Sequence, residues 1–362
     1  MSGTRAPATG LREGLWRAVL DGNEYDAVGS VRAGLAGGWD EEGLLLDVVA
    51  AVQERIGVEW AADRITVAQE HAATAINERV ITALVHRPAV GGPVPVHRGR
   101  VTVTCVDGEW HAFPARLVAE VLRLRGWRVD YLGAQTPTPR LVAHQHRTNS
   151  DAVLLSGSIP TQLPAAHTAI TACQAVGVPV LAGGRAFGED GRFARALGAD
   201  AWAADARGAA AVLEKGLPRP TAIGQAVDGL PHLVDQEYTM VAQSRGRLVR
   251  QTLAELEKRL PAVRGYSEAQ RERTAEDLGH IVDFLATALY VDDAEVFTGF
   301  LGWTAGVLSA RGVPVHPLVA GLDILAGQLR DFPRGLRLVH RGAALLGGRP
   351  APVTLPEGVA GR

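Results

Sequence analysis

The sequence predicts an all-α region, then an α/β domain with a doubly wound parallel sheet, then a second all-α region. Apolar residues recur at helical spacing through residues 11–87 and again through residues 233–330. Between them, residues 100–215 alternate short β-branched runs with helical stretches, which is typical of a parallel sheet covered on both faces. Two segments rich in proline and glycine, residues 88–99 and 216–232, are predicted to link the three regions.

The composition limits the classes of function. The chain has 362 residues, of which 47% are hydrophobic and 21% charged, and its net charge is −2. It lacks the basic run that direct nucleic-acid binding would need, and two cysteines are too few for a disulfide framework. No apolar run reaches the roughly 18 residues of a membrane span, and the N-terminus lacks the apolar core of a signal peptide. We therefore expect a cytoplasmic protein.

The N-terminal region reads as a small bundle of four helices. Their predicted bounds are residues 11–21, 24–36, 40–56 and 66–84. Gly57 is expected to end the third helix, and Asp63 or Thr66 to begin the fourth. Trp60, Glu70 and His71 lie in this part of the chain. Taken alone, they also fit a core tryptophan beside a solvated helix face.

Short runs of β-branched and small residues predict five strands, at residues 101–106, 128–132, 152–156, 178–182 and 201–203. His111, Ser156-Gly157-Ser158 and Gly183-Gly184 follow three of these strands, on the edge where open α/β sheets bind ligands. Small residues there let a large flat ligand approach the backbone. Glu109 can orient His111 toward a metal, although an isolated Glu-x-His is more typical of a solvated loop. Without a glycine-rich dinucleotide or P-loop motif, nucleotide cofactors are disfavoured.

The order and spacing of these loops resemble the signature of the cobalamin-binding domain of corrinoid proteins such as methionine synthase and the methylmalonyl mutases. That signature is Asp-x-His-x-x-Gly, followed by Ser-x-Leu and then by Gly-Gly. Here the segment 109–114 is separated from Ser156 by 41 residues, 115–155, and Ser158 is separated from Gly183 by 24 residues, 159–182. The second spacer is slightly short, and the sequence departs from the signature at Glu109, Pro114 and Ser158.

The resemblance implies a cobalamin cofactor whose cobalt takes His111 as its lower axial ligand. It also implies that the displaced nucleotide tail lies beside the small residues of the next two loops, namely Ser156, Ser158, Gly183 and Gly184. Pro114 is compatible with this arrangement, because proline is favoured in the first turn of a helix.

Trp60 and Glu70-His71, separated by nine residues, resemble the cap of CarH-type light-sensing adenosylcobalamin proteins. The resemblance implies that residues 11–87 cover the upper face of the cofactor. Trp60 would cover the adenosyl group, Glu70 would contact it, and His71 would take the upper cobalt position after light breaks the cobalt–carbon bond. Those proteins carry a DNA-binding domain ahead of the cap. Here only about ten residues precede the first predicted helix, so direct DNA binding is not expected.

The helical region 233–330, placed after a cap and a cobalamin domain, resembles the globin-like domain of the photocobilins. That resemblance implies biliverdin as a second chromophore, held noncovalently because neither cysteine lies in this region. A tetrapyrrole slot needs aromatic walls and cations for two propionates. The candidates for these roles are Arg245, Arg247, Arg250, His280, Tyr290, Phe297, Phe300 and Trp303. Residues 331–362, rich in glycine and proline, are predicted to form a surface tail.

These resemblances imply a photoreceptor that is not an enzyme, in which photolysis of the cobalt–carbon bond moves the cap and changes quaternary structure. We expect a homo-oligomer, a dimer or a tetramer, and a separate downstream signalling partner, because no output domain is recognisable. Two alternatives stay open. One is a methylcobalamin-binding corrinoid protein that serves methyltransferases. The other is a cobalamin protein whose C-terminal region binds haem through His280 or His316.

Overall fold

A computed structural model describes residues 7–85, 98–220 and 230–347. The described residues up to 220 form one compact unit, and those from 230 onward form a second. Much of the two predicted linkers, residues 88–97 and 221–229, lies outside the described residues. Within the described ranges, no helix is both long enough and apolar enough to cross a membrane.

The N-terminal region is a helical bundle with an apolar core. Its helices are α1 (Ala8–Leu20), α2 (Glu24–Ala36), α3 and α4 (Val67–Val85). Helix α3 is continuous and consists of a turn at Glu41–Gly43, a π-helical segment at Leu44–Val49 and an α-helix at Ala50–Ala61. Thr66 caps α4, since its hydroxyl accepts from the backbone N–H of Gln69 at 3.2 Å while the Gln69 side chain accepts from the Thr66 N–H at 2.9 Å.

The third helix does not end at Gly57, so that prediction was wrong. Helix α3 continues to Ala61 and includes Trp60 in its last turn. Glycine disfavours a helix interior by about 1 kcal/mol relative to alanine. Ile56 is fully buried and Trp60 is 8% exposed, and burial of a large apolar side chain stabilises by about 1.5–3 kcal/mol. Packing on both sides of Gly57 therefore outweighs its local preference.

The five strands of the described α/β region form one parallel sheet in the order β2-β1-β3-β4-β5. Their bounds lie within two residues of the prediction: β1 Arg100–Cys105, β2 Arg128–Gly133, β3 Ala152–Ser156, β4 Val180–Gly183 and β5 Ala201–Ala203. Strand β1 is buried along almost its whole length, as expected for a central strand covered on both faces.

The helices of this domain are α5 (Ala112–Leu124), α6 (Thr138–Thr148), α7 (Leu163–Ala175), α8 (Arg192–Ala196) and α9 (Ala206–Lys215). Helix α5 packs against α9, and α6 packs against α7. Because parallel crossovers are right-handed, these pairs cover opposite faces of the sheet. The strand order reverses direction at β1 and β3, so the loops that follow these two strands border a crevice at the carboxyl edge.

Arginines of the sheet domain hold the helical bundle in place. The ion pairs that join the two parts among the described residues include Arg125–Glu42, Arg207–Glu42, Arg207–Asp47 and Arg185–Glu54. The Arg125 guanidinium donates two hydrogen bonds of 2.9 Å to the Glu42 carboxylate. This pairing lowers the pKa of Glu42 against the opposing effect of its partial burial. A bidentate pair also fixes geometry, so these contacts set the register of the bundle on the sheet domain.

The second unit is helical throughout its described part. Its helices are α10 (Glu237–Gln243), α11 (Arg245–Arg259), α12 (Pro261–Arg264), α13 (Glu268–Val291), α14 (Ala294–Ala310), α15 (His316–Gln328) and α16 (Pro333–Gly347). Ser267 begins α13 through a capping box with Gln270, and Asp293 caps α14. The globin-like character of this unit stays a prediction.

Helix α16 lies where the sequence predicts a surface tail. The prediction of a tail is therefore wrong for residues 333–347. Val339 is fully buried in this helix. The carboxylate of Glu237 accepts from the backbone N–H groups of Arg334 at 3.0 Å and Gly335 at 2.8 Å, which satisfies the first turn. Proline suits the first helical position, so Pro333 starts this helix rather than preventing it. Residues 348–362 lie outside the described residues.

Candidate functional site

His111 lies between β1 and α5, at the carboxyl edge beside the crevice. Its ring Nδ1–H donates to Glu109 Oε1 at 2.6 Å, and its backbone N–H donates to the same oxygen at 2.9 Å. The side chain is 25% exposed. Because a carboxylate can only accept, Nδ1 carries the ring hydrogen and Nε2 keeps its lone pair. This is the tautomer that binds a metal through Nε2.

Glu109 connects the two sides of the crevice. It is 1% exposed, and its Oε2 accepts from the backbone N–H groups of Ser158 at 2.7 Å and Ile159 at 3.1 Å. Burial acts to raise the pKa of Glu109, but hydrogen bonds from the side chain and backbone of His111 and from Ser158 outweigh burial, and the pKa lies below its ordinary value. The carboxylate is therefore charged, and it fixes the loop after β3 while it orients His111.

Glycines bring the loops after β3 and β4 into direct backbone contact. The N–H of Gly157 donates to the carbonyl of Gly183 at 3.0 Å. Gly184 has φ 94° and ψ 166°, a conformation restricted almost entirely to glycine, and a Cβ there would overlap the Gly157 carbonyl oxygen. A Cβ at Gly183 would lie 3.0 Å from the Ala203 carbonyl oxygen. These loops therefore pack backbone against backbone, an approach that only residues without a side chain permit.

We expect Gly184→Ala to lower the free energy of unfolding by about 3 kcal/mol, because it adds backbone strain to an overlap with main-chain atoms. Urea denaturation followed by circular dichroism measures this change. Gly216→Ala is the matched control. Gly216 has a similar φ of 80° and ψ of 146°, but no described atom lies within 4 Å of its Cβ position. We expect Gly216→Ala to cost about 1 kcal/mol; equal losses would contradict the steric argument.

The bundle carries a second histidine held by a glutamate. Glu70 is 7% exposed, and its Oε2 accepts from the Nδ1–H of His71 in the first turns of α4. Its other oxygen accepts from the Thr74 hydroxyl at 3.0 Å. The His71 side chain is 63% exposed, with Nε2 left as the basic ring nitrogen. Trp60, 8% exposed, lies in the last turn of α3, the helix that precedes α4. The tautomer is the same as that of His111.

The proposed bilin residues of the second unit have mixed surroundings. Trp303 is 9% exposed and lies 6.4 Å from the Phe300 ring, which in turn stacks on Phe284 at 3.9 Å. Arg245 donates to Asp283 at 2.7 Å. Arg250 and His280 are exposed on their helices. These contacts form an aromatic stack, and they pair Arg245 with an acidic residue.

Two groups of contacts escape the motif-based reasoning. Ser158, which was predicted as a site residue, and Ile159, which was not, donate to Glu109 through backbone N–H groups, and no side-chain pattern reveals such contacts. Thr74 acts through its side chain, together with Gln53 of α3 and Asn77 of α4. Residues 70, 74 and 77 are spaced i, i+4 and i+7 and therefore share one helix face. Polar residues at that spacing, on a helix whose other face is apolar, were the sequence signal that could have revealed these contacts.

Two family models match the chain. Residues 99–213 match a model described as B12 binding domain, and residues 11–85 match a second model with the same description. Residues 99–213 are a B12-binding domain. Both matches indicate a cobalamin or corrinoid cofactor. The residues of the B12-binding domain fit such a group, because Glu109 holds the His111 ring in the tautomer whose Nε2 carries the lone pair, and because Gly157, Gly183 and Gly184 place backbone without side chains at the same edge of the sheet.

Solved corrinoid proteins share similarity with this chain. The monomethylamine corrinoid protein of Methanosarcina barkeri is 19% identical, with 58% of this chain and 99% of that chain covered and a TM-score of 0.49. The methanol:cobalamin methyltransferase complex MtaBC of the same organism is 19% identical, with 58% and 81% covered and a TM-score of 0.31.

One curated relative shares a short segment with this chain. The segment is 47% identical over 47 residues to a UDP-N-acetylglucosamine--N-acetylmuramyl-(pentapeptide) pyrophosphoryl-undecaprenol N-acetylglucosamine transferase of Verminephrobacter eiseniae (strain EF01-2). The match spans 13% of this chain and 13% of the length of that relative.

Proposed function

We propose that this chain is a light-responsive adenosylcobalamin protein that signals rather than catalyses. The observation that carries the proposal is the repeated Glu–His arrangement, once in the B12-binding domain and once in the bundle. In each case a buried glutamate accepts the Nδ1–H, so that Nε2 is the nitrogen that carries the ring lone pair. Bound adenosylcobalamin supplies a cobalt–carbon bond that visible light cleaves.

His111 would bind the cobalt from below through Nε2. Glu109 would keep the imidazole in the ligating tautomer and raise its basicity, as outer-shell carboxylates do for metal-bound histidines. The loops after β3 and β4 would border the nucleotide tail through Ser156, Ser158, Gly183 and Gly184. These roles are supported by the short Glu109 contacts and by the absence of side chains at the two glycines.

The bundle would respond to the state of the upper cobalt face. Trp60 would cover the adenosyl group and Glu70 would contact it. Once the adenosyl group has left, His71 would supply the upper ligand, since neutral imidazole suits transition-metal ions. The side chains of the Arg185–Glu54 pair are each 46% exposed, and exposed pairs contribute little to stability. We propose that the bundle shifts as this pair and the other ion pairs to the sheet domain rearrange, that the shift changes the homo-oligomeric state, dimer or tetramer, and that a separate partner reads it.

We propose biliverdin as a second chromophore in a globin-like second unit. The stack of Phe284, Phe300 and Trp303 supports this, because planar aromatic walls suit a flat tetrapyrrole. Arg245, Arg250 and His280 are the candidate partners for the bilin's polar groups. In this form the protein would absorb both green and red light.

The test is an absorption spectrum of protein mixed with adenosylcobalamin and biliverdin, desalted, and then exposed to green and red light. We expect light-dependent changes in the cobalamin bands and a retained red band. Light stability together with a preference for methylcobalamin would replace the proposal with a corrinoid carrier of a methyltransferase system. A sharp Soret band after addition of haem, without retention of biliverdin, would make the second unit a haem sensor.

A further inference from the structure

We propose that Gln53, Thr74 and Asn77 position His71 for metal binding by locking the Glu70 carboxylate. They form a hydrogen-bond relay between α3 and α4, and none of them belongs to the residues so far assigned a role at the cofactor. The inference rests on the proposed function, because it concerns the histidine that would take the upper cobalt position.

The relay is continuous and every donor in it points toward Glu70. The Asn77 side-chain amide donates to Gln53 Oε1 at 2.9 Å, and the Gln53 amide donates to the Thr74 hydroxyl at 2.7 Å. The Thr74 hydroxyl donates to Glu70 Oε1 at 3.0 Å, and Glu70 Oε2 accepts from the His71 Nδ1–H. Aligned donors polarise one another and strengthen the last bond of the chain.

One member of the relay, Asn77, occupies a position where an apolar residue would stabilise the bundle better. Asn77 is fully buried, and its Oδ1 finds no donor among the described residues. A buried polar atom without a partner is destabilising. The neighbouring residues on the same helix, Ala73 and Val80, are buried and apolar, as a bundle core requires. The buried amide of Asn77 therefore lowers the stability of the bundle, and packing gives no reason for it. Its hydrogen bond to Gln53 gives such a reason.

The relay limits the freedom of the imidazole. With one oxygen held by Thr74, the Glu70 carboxylate keeps its other oxygen directed at His71 Nδ1. The ring then has one favoured tautomer and one favoured orientation, with Nε2 presented at the bundle surface. Without the relay, the carboxylate can rotate and His71 can exchange its ring hydrogen between the two nitrogens. The relay thus acts through Glu70, and its members are positioning residues.

The test compares Thr74→Val, which removes the hydroxyl at nearly constant shape, with Thr74→Ser, which keeps it. In cofactor-free protein, nitrogen-15 NMR of the His71 ring reports the tautomer directly. We expect wild type and Thr74→Ser to show the Nδ1–H form and Thr74→Val to show a mixture. After illumination with adenosylcobalamin, we expect the bis-histidine product to form about tenfold more slowly in Thr74→Val, a loss typical of outer-shell changes.

Gln53→Leu serves as a second variant, because it removes the donor to Thr74 without changing α4, and circular dichroism checks that each variant is folded. An unchanged tautomer in both Thr74→Val and Gln53→Leu would overturn the relay. The two proposals fail separately. If wild type forms no bis-histidine product, the proposed function fails, while the NMR comparison in cofactor-free protein still decides the relay.

Discussion

Replacement of His111 by alanine is expected to weaken cobalamin binding by at least about 100-fold, more than the 10–100-fold that loss of an outer-shell partner costs. The substitution removes the ligand atom itself and leaves Glu109 without the ring N–H that it accepts at 2.6 Å. Titration of the cofactor-free protein with hydroxocobalamin, followed by absorbance, gives both the affinity and the state of the lower ligand. The remaining bound cobalamin should lack the bands of histidine coordination.

His144→Ala is the matched control for His111. His144 is also a half-buried histidine of the sheet domain held by a carboxylate, with Nε2 3.0 Å from Asp130 and a side chain 17% exposed. It lies on α6, away from the loops that follow the strands. We expect its loss to leave the titration unchanged. A normal cobalamin spectrum in His111→Ala would overturn the ligand assignment, and Glu109→Gln should fall between the two variants.

Replacement of His71 by alanine is expected to abolish the bis-histidine light product while photolysis itself continues. The bond that light cleaves does not depend on His71, whereas capture of the open cobalt position does. Spectra recorded before and after green light separate the two events. Because the His71 side chain is 63% exposed, its removal should change the midpoint of thermal unfolding little.

Added imidazole provides the control for His71→Ala. A small free imidazole can occupy the position that the side chain leaves, so millimolar imidazole should restore the absorption bands of the wild-type product. Restoration would assign the bands to nitrogen coordination rather than to an indirect change in the bundle. An illuminated spectrum of His71→Ala identical to that of wild type would make another residue, or water, the upper ligand.

The sheet and its ligand-binding edge were predictable because their signals are local. β-Branched runs gave all five described strands within two residues, and Glu109 and His111 are close enough in sequence for their hydrogen bond to be expected. Gly57 and residues 333–347 were misjudged for a common reason. Glycine and proline lower the local helix preference, which is all that the sequence shows. Burial of Ile56 and Val339 stabilises the two helices, and that burial is visible only in the packed structure.

Contacts between distant residues were beyond the reach of motif reading. The relay joins Gln53 to Asn77, 24 residues apart, and Glu109 reaches Ser158, 49 residues away. Neither contact follows from periodicity, because each depends on which helices and loops become neighbours. In the second unit, no sequence motif with a fixed spacing indicated which cations and aromatic residues lie together. Among the described residues, Arg245 pairs with Asp283 and not with an aromatic residue.

The described ion pairs between the bundle and the sheet domain all have the same arrangement of charge. In each ion pair described there, the sheet domain contributes the arginine and the bundle contributes the acid. Guanidinium groups stay protonated at any physiological pH, and the lowered pKa of Glu42 keeps its carboxylate charged until the solution is strongly acidic. Dissolved salt, by contrast, weakens ion pairs between partly exposed groups, and the screening length falls as the salt concentration rises, to about 10 Å at 0.1 M. The pairs that Glu42 forms are therefore insensitive to cellular pH but weaken as ionic strength rises, so salt concentration would tune the shift of the bundle that we propose.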